Sequence, residues 1–483
     1  MQSEACLGPV FRPGDERKHD FEKLLPLISQ AIPRASMIDQ AVFAKFLQAG
    51  IEQCGIGADC ILKHAECQRI SAQFPQDADR HPPPEQIEGD HDRPTGLGAA
   101  NLFAEDEGCH AIISIATALS LWYRYDFHST RAANMHSFSG QGTIQTLTFV
   151  KPNLLEWRER KTPVIVDATD AIVRPIAAST CDVDQKIVRG GTPETGPFTI
   201  GHEACGRVVE VGSAVKAFQP GDIVSIPWHI ACGQCARCLT GLPAHCEAFP
   251  RRAMFGHPMG GDWGGLFDDI VRVPFADNML VKLPAGVDPV AAASVSDNIS
   301  IAWEVLSGEL ARKPGARVLV LGGTPSIGLY CVDMARALGA PDIVYCDYSS
   351  QRCATARSYG ATTYKEDPKP AWGDFDIIVD ASANAEWLKT GLQMVTPEGI
   401  LDSVGIYFGE VGFPIYEMYM RATRFRIGRG NARNGMPHVL DLMQRKCICP
   451  EHVFSARHEW HVAPEMLAAS TKPVFVREID DAT

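Results

Sequence analysis

Four cysteines stand close together in the segment CGQCARCLTGLPAHC, at Cys232, Cys235, Cys238 and Cys246. Thiolates two residues apart can fold back onto one ion, and four of them complete a tetrahedral zinc shell with no open position. Such a site is structural, because it has no room for a substrate. The alternatives are four unconnected thiols or an iron–sulfur cluster, and the short, local loop without a Cys-Pro ending disfavours the cluster. The spacing therefore predicts a structural zinc site.

A second group of residues has the composition of an open metal site. Cys181, in STCDVDQK, offers a thiolate, and GHEACG, further along the chain, offers the imidazole of His202 and the carboxylate of Glu203. A catalytic zinc takes three protein ligands and keeps a fourth position for water or substrate. Each residue alone is weak evidence, since a single histidine is more often structural, and for Cys181 a nucleophile and a core thiol are the alternatives to a metal ligand.

A glycine-rich loop follows a predicted strand in VLVLGGTPSIGLY and leads into a predicted helix, as a dinucleotide-binding loop does. The fingerprint is imperfect, because Pro325 takes the middle position and the loop counted from Gly322 is one residue longer than usual. A pyrophosphate is expected on the backbone N–H groups that open the helix. The candidate cofactor contacts in this loop are Gly322, Gly323, Ser326, Ile327 and Gly328.

Asp347 ends the next predicted strand and is the candidate for recognition of the cofactor's ribose. An acid at that point accepts hydrogen bonds from a ribose 2′-OH and repels a 2′-phosphate, which favours NAD over NADP. Arg352 follows closely, so NADP stays open as the less favoured cofactor.

These candidate residues need a scaffold, and the second half of the chain predicts one. Strands are predicted at 317–323, 342–347, 374–382 and 399–406, with helices at 326–340, 353–361 and 385–395. Such alternation, with nearly continuous apolar strands, is typical of a doubly wound parallel sheet. From about Thr143, short β-branched runs broken by Gly and Pro predict a compact β domain. Residues 37–71 show helical periodicity, and about 76–98 form a proline-rich and acidic linker.

From about Thr143 to Ile479 the chain resembles the zinc-dependent alcohol dehydrogenases of the medium-chain dehydrogenase/reductase superfamily. The matching motifs, in order, are CDVD, GHEACGRVVEVG, PGDIVSIP, the four-cysteine lobe, GGDWGGLFDDIVRVP and the nucleotide fold. The resemblance implies an α/β protein with a GroES-like β-rich catalytic domain and a Rossmann domain. The implied divisions are an extension of unknown role at 1–142, the catalytic domain at 143–300, the Rossmann domain at 301–435 and a C-terminal return at 436–483.

The resemblance also assigns the residues of the open site. It implies a third zinc ligand in ASVSDNISIAWEVL, where Asp297 stands, to complete Cys181 and His202, with Glu203 as an outer or exchangeable ligand. A helix N-cap is the alternative role for Asp297. Gly405, in SVGI, falls near the place where the family binds the nicotinamide.

Val183 departs from the family pattern, which is usually Cys-x-Ser/Thr-Asp with a hydroxyl that passes a proton from the metal-bound oxygen to solvent. Val183 has no hydroxyl, Asp184 keeps the acid, and Lys186 stands where many members carry a relay histidine. The usual relay cannot be drawn, so water, Asp184 or Lys186 must handle the proton, or the reaction is not simple alcohol oxidation.

Composition narrows the remaining possibilities. The net charge of −13 argues against nucleic acid or an anionic membrane as a partner. The first residues lack a secretory signal, and the apolar run at 111–123 is too short for a membrane span. We therefore expect a cytoplasmic homodimer or homotetramer, with zinc and NAD, acting on a small alcohol or carbonyl compound. The alternatives are a carbonyl reductase or dismutase that keeps NAD bound, and a non-catalytic binding or regulatory protein.

Overall fold

The computed structural model describes residues 142–477, all within the second of the two units into which the chain divides, Met135–Thr483. The predicted helical segment at 37–71, the linker at about 76–98 and the apolar run at 111–123 lie outside the described residues. Within the described range, no helix is both long and apolar enough to cross a membrane.

The described chain contains sixteen strands. The first eight are β1 Thr143–Lys151, β2 Leu154–Lys161, β3 Ala171–Ser179, β4 Phe198–Thr199, β5 Glu203–Val211, β6 Ile223–Ile226, β7 Val271–Val273 and β8 Val281–Lys282. The others are β9 Arg317–Leu321, β10 Asp342–Cys346, β11 Thr362–Tyr364, β12 Phe375–Asp380, β13 Val395–Ser403, β14 Arg424–Ile427, β15 Ala456–Glu459 and β16 Pro473–Val476.

Ten α-helices connect these strands in the same range. The first five are α1 Asp182–Val188, α2 Ala236–Leu239, α3 Ala276–Met279, α4 Asn298–Arg312 and α5 Ile327–Ala337. The others are α6 Ser350–Ser358, α7 Ala385–Gln393, α8 Ile415–Met420, α9 Ala432–Gln444 and α10 Ala463–Ala469.

The strands from β9 to β14 form one six-stranded sheet in the order β11-β10-β9-β12-β13-β14. All neighbouring strands in it are parallel. Four consecutive residues of β9, from Val318 to Leu321, are buried, which fits a strand whose two faces are both covered by helices. The chain adds β10 and β11 on one side of β9 and β12 to β14 on the other side. The loop after β9 therefore lies at the crevice where such sheets bind ligands.

The other strands form two further sheets. A seven-stranded sheet has the order β15-β16-β3-β5-β6-β8, with β7 on β3, and a three-stranded sheet has the order β2-β1-β4. The last described strand, β16, pairs antiparallel with β3, so the chain returns to the seven-stranded sheet after completing the parallel one. The predicted combination of a β-rich domain with a doubly wound parallel sheet is confirmed.

Several predicted boundaries are shifted. The strand predicted at 399–406 runs from Val395 to Ser403, because the N–H groups of Val404 and Gly405 turn to the carbonyl of Asp380. The sequence pattern did not predict the first residues of this strand, because they include Pro-Glu-Gly, a sequence typical of turns. The helix predicted at 326–340 is Ile327–Ala337, and the one predicted at 353–361 is Ser350–Ser358. The predicted domain boundaries at 300 and 435 fall inside α4 and α9.

Candidate active site

The four cysteines of the predicted structural zinc site converge in the loop around α2. Their sulfur atoms all lie within 4.8 Å of one another. Backbone N–H groups point at these sulfurs: Cys235 N–H donates to Cys232 Sγ at 3.3 Å, and Glu247 N–H donates to Cys235 Sγ at 3.4 Å. Such bonds favour thiolates, and the bond from the N–H of Glu247 lowers the pKa of Cys235 to about 6. Four sulfurs held in this way fit a closed zinc shell.

A second group of possible ligands consists of Cys181, His202 and Asp297. One ligand atom from each lies within 4.8 Å of the other two, and all three residues are buried. His202 Nε2 is 3.5 Å from Asp297 Oδ2. A thiol, an imidazole and a carboxylate from three distant parts of the chain therefore meet at one point. This donor set suits zinc, and three protein ligands leave a fourth position open.

The first turn of α1 positions Cys181. As the N-cap residue, Cys181 accepts the N–H of Val183 at its sulfur, at 3.3 Å, while Asp184 Oδ2 accepts the N–H of Cys181 at 3.1 Å. This reciprocal pair is a capping box, and it fixes the direction of the Cys181 side chain. Burial raises the pKa of Cys181 to about 12, so the thiol needs a cation to become a ligand thiolate.

His202 directly precedes β5, and Asp184 orients its ring from the Nδ1 side, opposite the ligand group. His202 Nδ1 lies 3.3 Å from Asp184 Oδ1, which leaves Nε2 directed to the ligand group. A carboxylate behind a metal-binding histidine fixes the ring and its tautomer. The preceding residue must be glycine: Gly201 has φ of 95°, and a Cβ there would lie 2.2 Å from the ring of Phe267.

Asp297 stands at the N-cap position of α4, but its side chain makes no capping hydrogen bond. The carboxylate faces His202 instead. The alternative role as a helix cap therefore does not account for its side chain.

Glu203 lies next to His202 but is not a member of the group of three. Its Oε2 accepts hydrogen bonds from Ser294 Oγ and from Lys472 Nζ, both at 2.6 Å. Glu203 and Lys472 are almost fully buried, and although burial opposes it, the charge of Glu203 raises the pKa of Lys472. The second oxygen, Oε1, is buried without a hydrogen-bond partner. Glu203 is thus tied to Lys472, the residue that directly precedes β16.

The residues suggested for proton transfer divide into two groups. Val183 is half-buried and packs against the apolar core beneath the seven-stranded sheet, and Asp184 is held by Cys181 and His202. Lys186 is exposed, with Nζ 4.9 Å from the ring centre of Phe408. The Lys186 ammonium group therefore lies over the Phe408 ring.

The glycine-rich loop joins β9 to α5. Gly323 has φ of 119°, which a residue with a side chain rarely adopts. A Cβ on Gly322 would lie 2.5 Å from Tyr345 Oη, and a Cβ on Gly328 would be in van der Waals contact with Ala381. Gly405 lies beyond the end of β13, and a Cβ there would be 2.9 Å from the nitrogen of Ala383. The loop thus requires glycine at Gly322, for close packing, and at Gly323, for its backbone conformation.

Asp347 lies at the end of β10, as predicted, but its carboxylate already has many donors. Oδ2 accepts the N–H of Gly323 at 2.9 Å and Tyr345 Oη at 2.6 Å, and Arg352 reaches both oxygens at 2.7 Å. The N–H of Ser349 adds a bond to Oδ1 at 2.7 Å. Although burial opposes it, the bond with Arg352 lowers the pKa of Asp347. In this structure Asp347 fixes the glycine loop against β10.

Asp182 is the unexpected residue at the dinucleotide loop. It is the first residue of α1, and its carboxylate lies at the N-terminus of α5, where it accepts bonds from Ser326 and Ile327. The glycine loop fits a dinucleotide, but a protein carboxylate holds the place expected for the pyrophosphate.

The fold and the two metal-binding groups together define a class of protein. The family profile described as alcohol dehydrogenase GroES-like domain matches residues 167–285, and the profile described as zinc-binding dehydrogenase matches 326–445. The chain belongs to the zinc-dependent alcohol dehydrogenase family of the medium-chain dehydrogenases/reductases, a family of oxidoreductases.

Individual relatives agree with this assignment. The chain is 30% identical over 289 residues to the glutathione-independent formaldehyde dehydrogenase of Bacillus subtilis, covering 55% of this chain and 70% of the relative. It is 27% identical over 327 residues to zinc-type alcohol dehydrogenase B of Aspergillus flavus, covering 65% and 75%. Among solved structures, the alcohol dehydrogenase from Thermus sp. ATN1 is 30% identical, with a TM-score of 0.63 and coverage of 69% of this chain and all of that one.

Three residues near the candidate site were not predicted from the sequence: Lys472, Asp182 and His257. His257 lies next to the site, with Nε2 3.5 Å from Glu194 Oε1, and burial lowers its pKa. Lys472 and His257 carry no local motif. Asp182 stands within the CDVD motif, but only the fold shows that its side chain points to α5.

Proposed function

We propose that this protein is a zinc-dependent dehydrogenase that transfers a hydride between a small alcohol or carbonyl compound and a nicotinamide dinucleotide, with NAD favoured over NADP. The convergence of Cys181, His202 and Asp297 carries this proposal, because it supplies three ligands and an open position close to a dinucleotide loop. Zinc would polarise the substrate oxygen and lower the pKa of an alcohol, and the nicotinamide would exchange the hydride.

The residues of this chain have separate roles in the proposed reaction. Cys181, His202 and Asp297 would hold the metal, and Asp184 would keep the His202 ring in position through Nδ1. The Lys472 ammonium keeps Glu203 out of the group of ligands, as an outer residue. Proton transfer must use water or a group other than Val183, which has only methyl groups. The four-cysteine lobe would hold a second zinc for structural purposes.

The proposed organisation keeps the order of the four predicted divisions, which are an extension at 1–142, a GroES-like domain at 143–300, a Rossmann domain at 301–435 and a C-terminal return at 436–483, and changes only the two inner boundaries. The pairing of β16 with β3 supports the return. The predicted boundaries at 300 and 435 would divide helices α4 and α9, so we place these two boundaries at the ends of those helices.

The test is a panel of alcohols, aldehydes and ketones, assayed with NAD and NADP at 340 nm on protein of measured zinc content. We expect turnover with at least one compound, and its loss in His202→Ala with the four-cysteine zinc retained. The matched control is His438→Ala, which removes a histidine that stacks on Trp303 outside the ligand group. Turnover without release of the cofactor would support the tightly held NAD of a carbonyl reductase or dismutase. A protein with zinc in the lobe alone and no turnover would support the non-catalytic alternative.

A further inference from the structure

The N-terminus of α5 presents the N–H groups to which this type of fold binds a pyrophosphate. Here the carboxylate of Asp182 is bonded to the same groups. Oδ2 accepts the N–H of Ser326 at 3.3 Å and the N–H of Ile327 at 3.1 Å, and Oδ1 accepts the hydroxyl of Ser326 at 2.7 Å. A negative charge at the positive end of a helix dipole is stabilised. Asp182 therefore occupies an anion-binding position.

This contact is part of a polar network that includes neighbours of two metal-ligand candidates. Asp182 directly follows Cys181, and Asn298, which directly follows Asp297, donates from Nδ2 to Ser326 Oγ at 2.9 Å. Ser326 is fully buried and makes no capping bond of its own. The side chain of Asp182 thus caps α5 from another part of the chain, in place of the usual N-cap residue.

We infer that Asp182 sets the affinity of this protein for dinucleotides, because a pyrophosphate must displace its carboxylate to reach the N–H groups of Ser326 and Ile327. The inference rests on the proposed function, in which a nicotinamide dinucleotide binds at this loop. A pyrophosphate oxygen and the Asp182 carboxylate are both negatively charged, so the two anions repel each other at these N–H groups and one must give way. Part of the binding free energy is therefore used to break the Asp182 contacts, and the observed affinity is lowered by that amount.

The experiment is isothermal titration calorimetry on the full-length, zinc-loaded protein, with NAD⁺, inorganic pyrophosphate and adenosine as probes. In Asp182→Ala we expect the Kd for NAD⁺ and for pyrophosphate to fall about ten- to a hundredfold, the range for a charged hydrogen-bonding competitor. Adenosine, which has no phosphate, should bind as in the wild type. Asp182→Asn should show a smaller change, since it keeps an acceptor oxygen without the charge. The control is Asp277→Ala, which removes a carboxylate bonded to the N–H groups of Lys216 and Ala217 in another loop.

The possible outcomes separate this inference from the proposed function. Equal or weaker binding of NAD⁺ and pyrophosphate in a folded Asp182→Ala protein overturns the inference and leaves the cofactor assignment in place. Tighter pyrophosphate binding with no NAD⁺ binding in any protein supports the inference and removes the cofactor. No binding of either probe in any protein overturns both. Thermal denaturation followed by circular dichroism checks folding, and Asp182→Asn serves if Asp182→Ala does not fold.

Discussion

Lys472 Nζ lies 2.6 Å from Glu203 Oε2, in an ion pair whose side chains are 1% and 0% exposed. Lys472 also donates to the carbonyl of Thr180 at 2.6 Å, so the ammonium links the residue before Cys181 with the residue after His202. One buried cation thus connects the two chain segments that carry metal-ligand candidates.

Removal of one partner of this pair should be strongly destabilising. Lys472→Met leaves Glu203 as a buried, uncompensated charge, and we expect the free energy of unfolding to fall by about 3–5 kcal/mol. Adding Glu203→Gln to Lys472→Met should restore part of the lost free energy of unfolding, because the double variant no longer buries an unpaired carboxylate charge. Urea denaturation followed by circular dichroism measures both, with Lys369→Met, an exposed pair with Glu366, as the control. A loss as small as that of the control would contradict the buried pair.

The two metal sites should lose their ions at different rates. Four thiolates close the lobe at Cys232 to Cys246, whereas the site at Cys181 has an oxygen ligand and an open position. A mild chelator should remove one zinc together with activity while the far-ultraviolet spectrum stays unchanged. Metal analysis during dialysis follows the loss of zinc. In Cys246→Ser we expect loss of the zinc in the lobe together with a changed far-ultraviolet spectrum, because that zinc stabilises the fold. Fewer than two zinc ions per freshly prepared chain would count against this prediction.

Replacement of Asp347 by alanine tests cofactor choice. We expect weaker NAD binding by about 1.5–3 kcal/mol, because hydrogen bonds to a charged acceptor are lost. The Arg352 guanidinium, bonded to Asp347 at 2.7 Å, becomes free for a 2′-phosphate, so discrimination against NADP should relax. Titration with both cofactors measures this, with Asp342→Ala as the control, since that acid pairs with Arg317 at the other end of β10. Unchanged NAD affinity would show that Asp347 serves the glycine loop alone.

Val183→Thr restores the hydroxyl that relatives usually carry. A positioned proton carrier contributes about 10²–10⁴-fold to a rate. We therefore expect faster oxidation of simple alcohols, or a shifted pH profile, without loss of folding. Val188→Thr is the control on the same helix, because Val188 is fully buried and its hydroxyl would cost stability without affecting proton transfer. The prediction is wrong if the wild type already turns over at full speed and Val183→Thr changes neither rate nor pH profile.

An exposed apolar surface predicts self-association. Helix α8 carries Ile415, Tyr416, Tyr419 and Met420, which are 61–80% exposed, and β14 lies at the edge of the six-stranded sheet with Ile427 half-exposed. Apolar patches and free strand edges favour protein contacts. We expect a homodimer or homotetramer in light scattering, and smaller particles for Tyr419→Glu. Val166→Glu, at an exposed apolar residue elsewhere, should leave the mass unchanged.

The sequence predicted best where the determinants are local. The four cysteines fall within one short loop, so their spacing alone indicated a shared ion, and the alternation of β9 to β13 with helices indicated the parallel sheet. Asp297 was different, because it lies far from Cys181 in the chain and no local pattern joins them; only the family resemblance connected the two.

Contacts that depend on side-chain direction could not be predicted. Asp347 matched the ribose-binding pattern, yet the sequence does not show that Gly323, Tyr345 and Arg352 take up its oxygens. The same holds for Asp182, whose partners on α5 follow from the packing of α1 against the glycine loop. Such contacts form when elements that are distant in the sequence pack together, so the spacing of residues along the chain does not predict them.

The pairing of β16 with β3 has a consequence for how the protein is made. During synthesis on the ribosome, β3 emerges before the six strands of the parallel sheet, and β16 emerges after all of them. The parallel sheet can complete its strands while the seven-stranded sheet still lacks its last partners. Lys472, which neutralises Glu203, is translated in the same late segment. The metal-ligand group therefore reaches its final electrostatic environment only after Lys472 has left the ribosome, so truncation before β15 should yield protein with an intact parallel sheet and an exposed edge on β3.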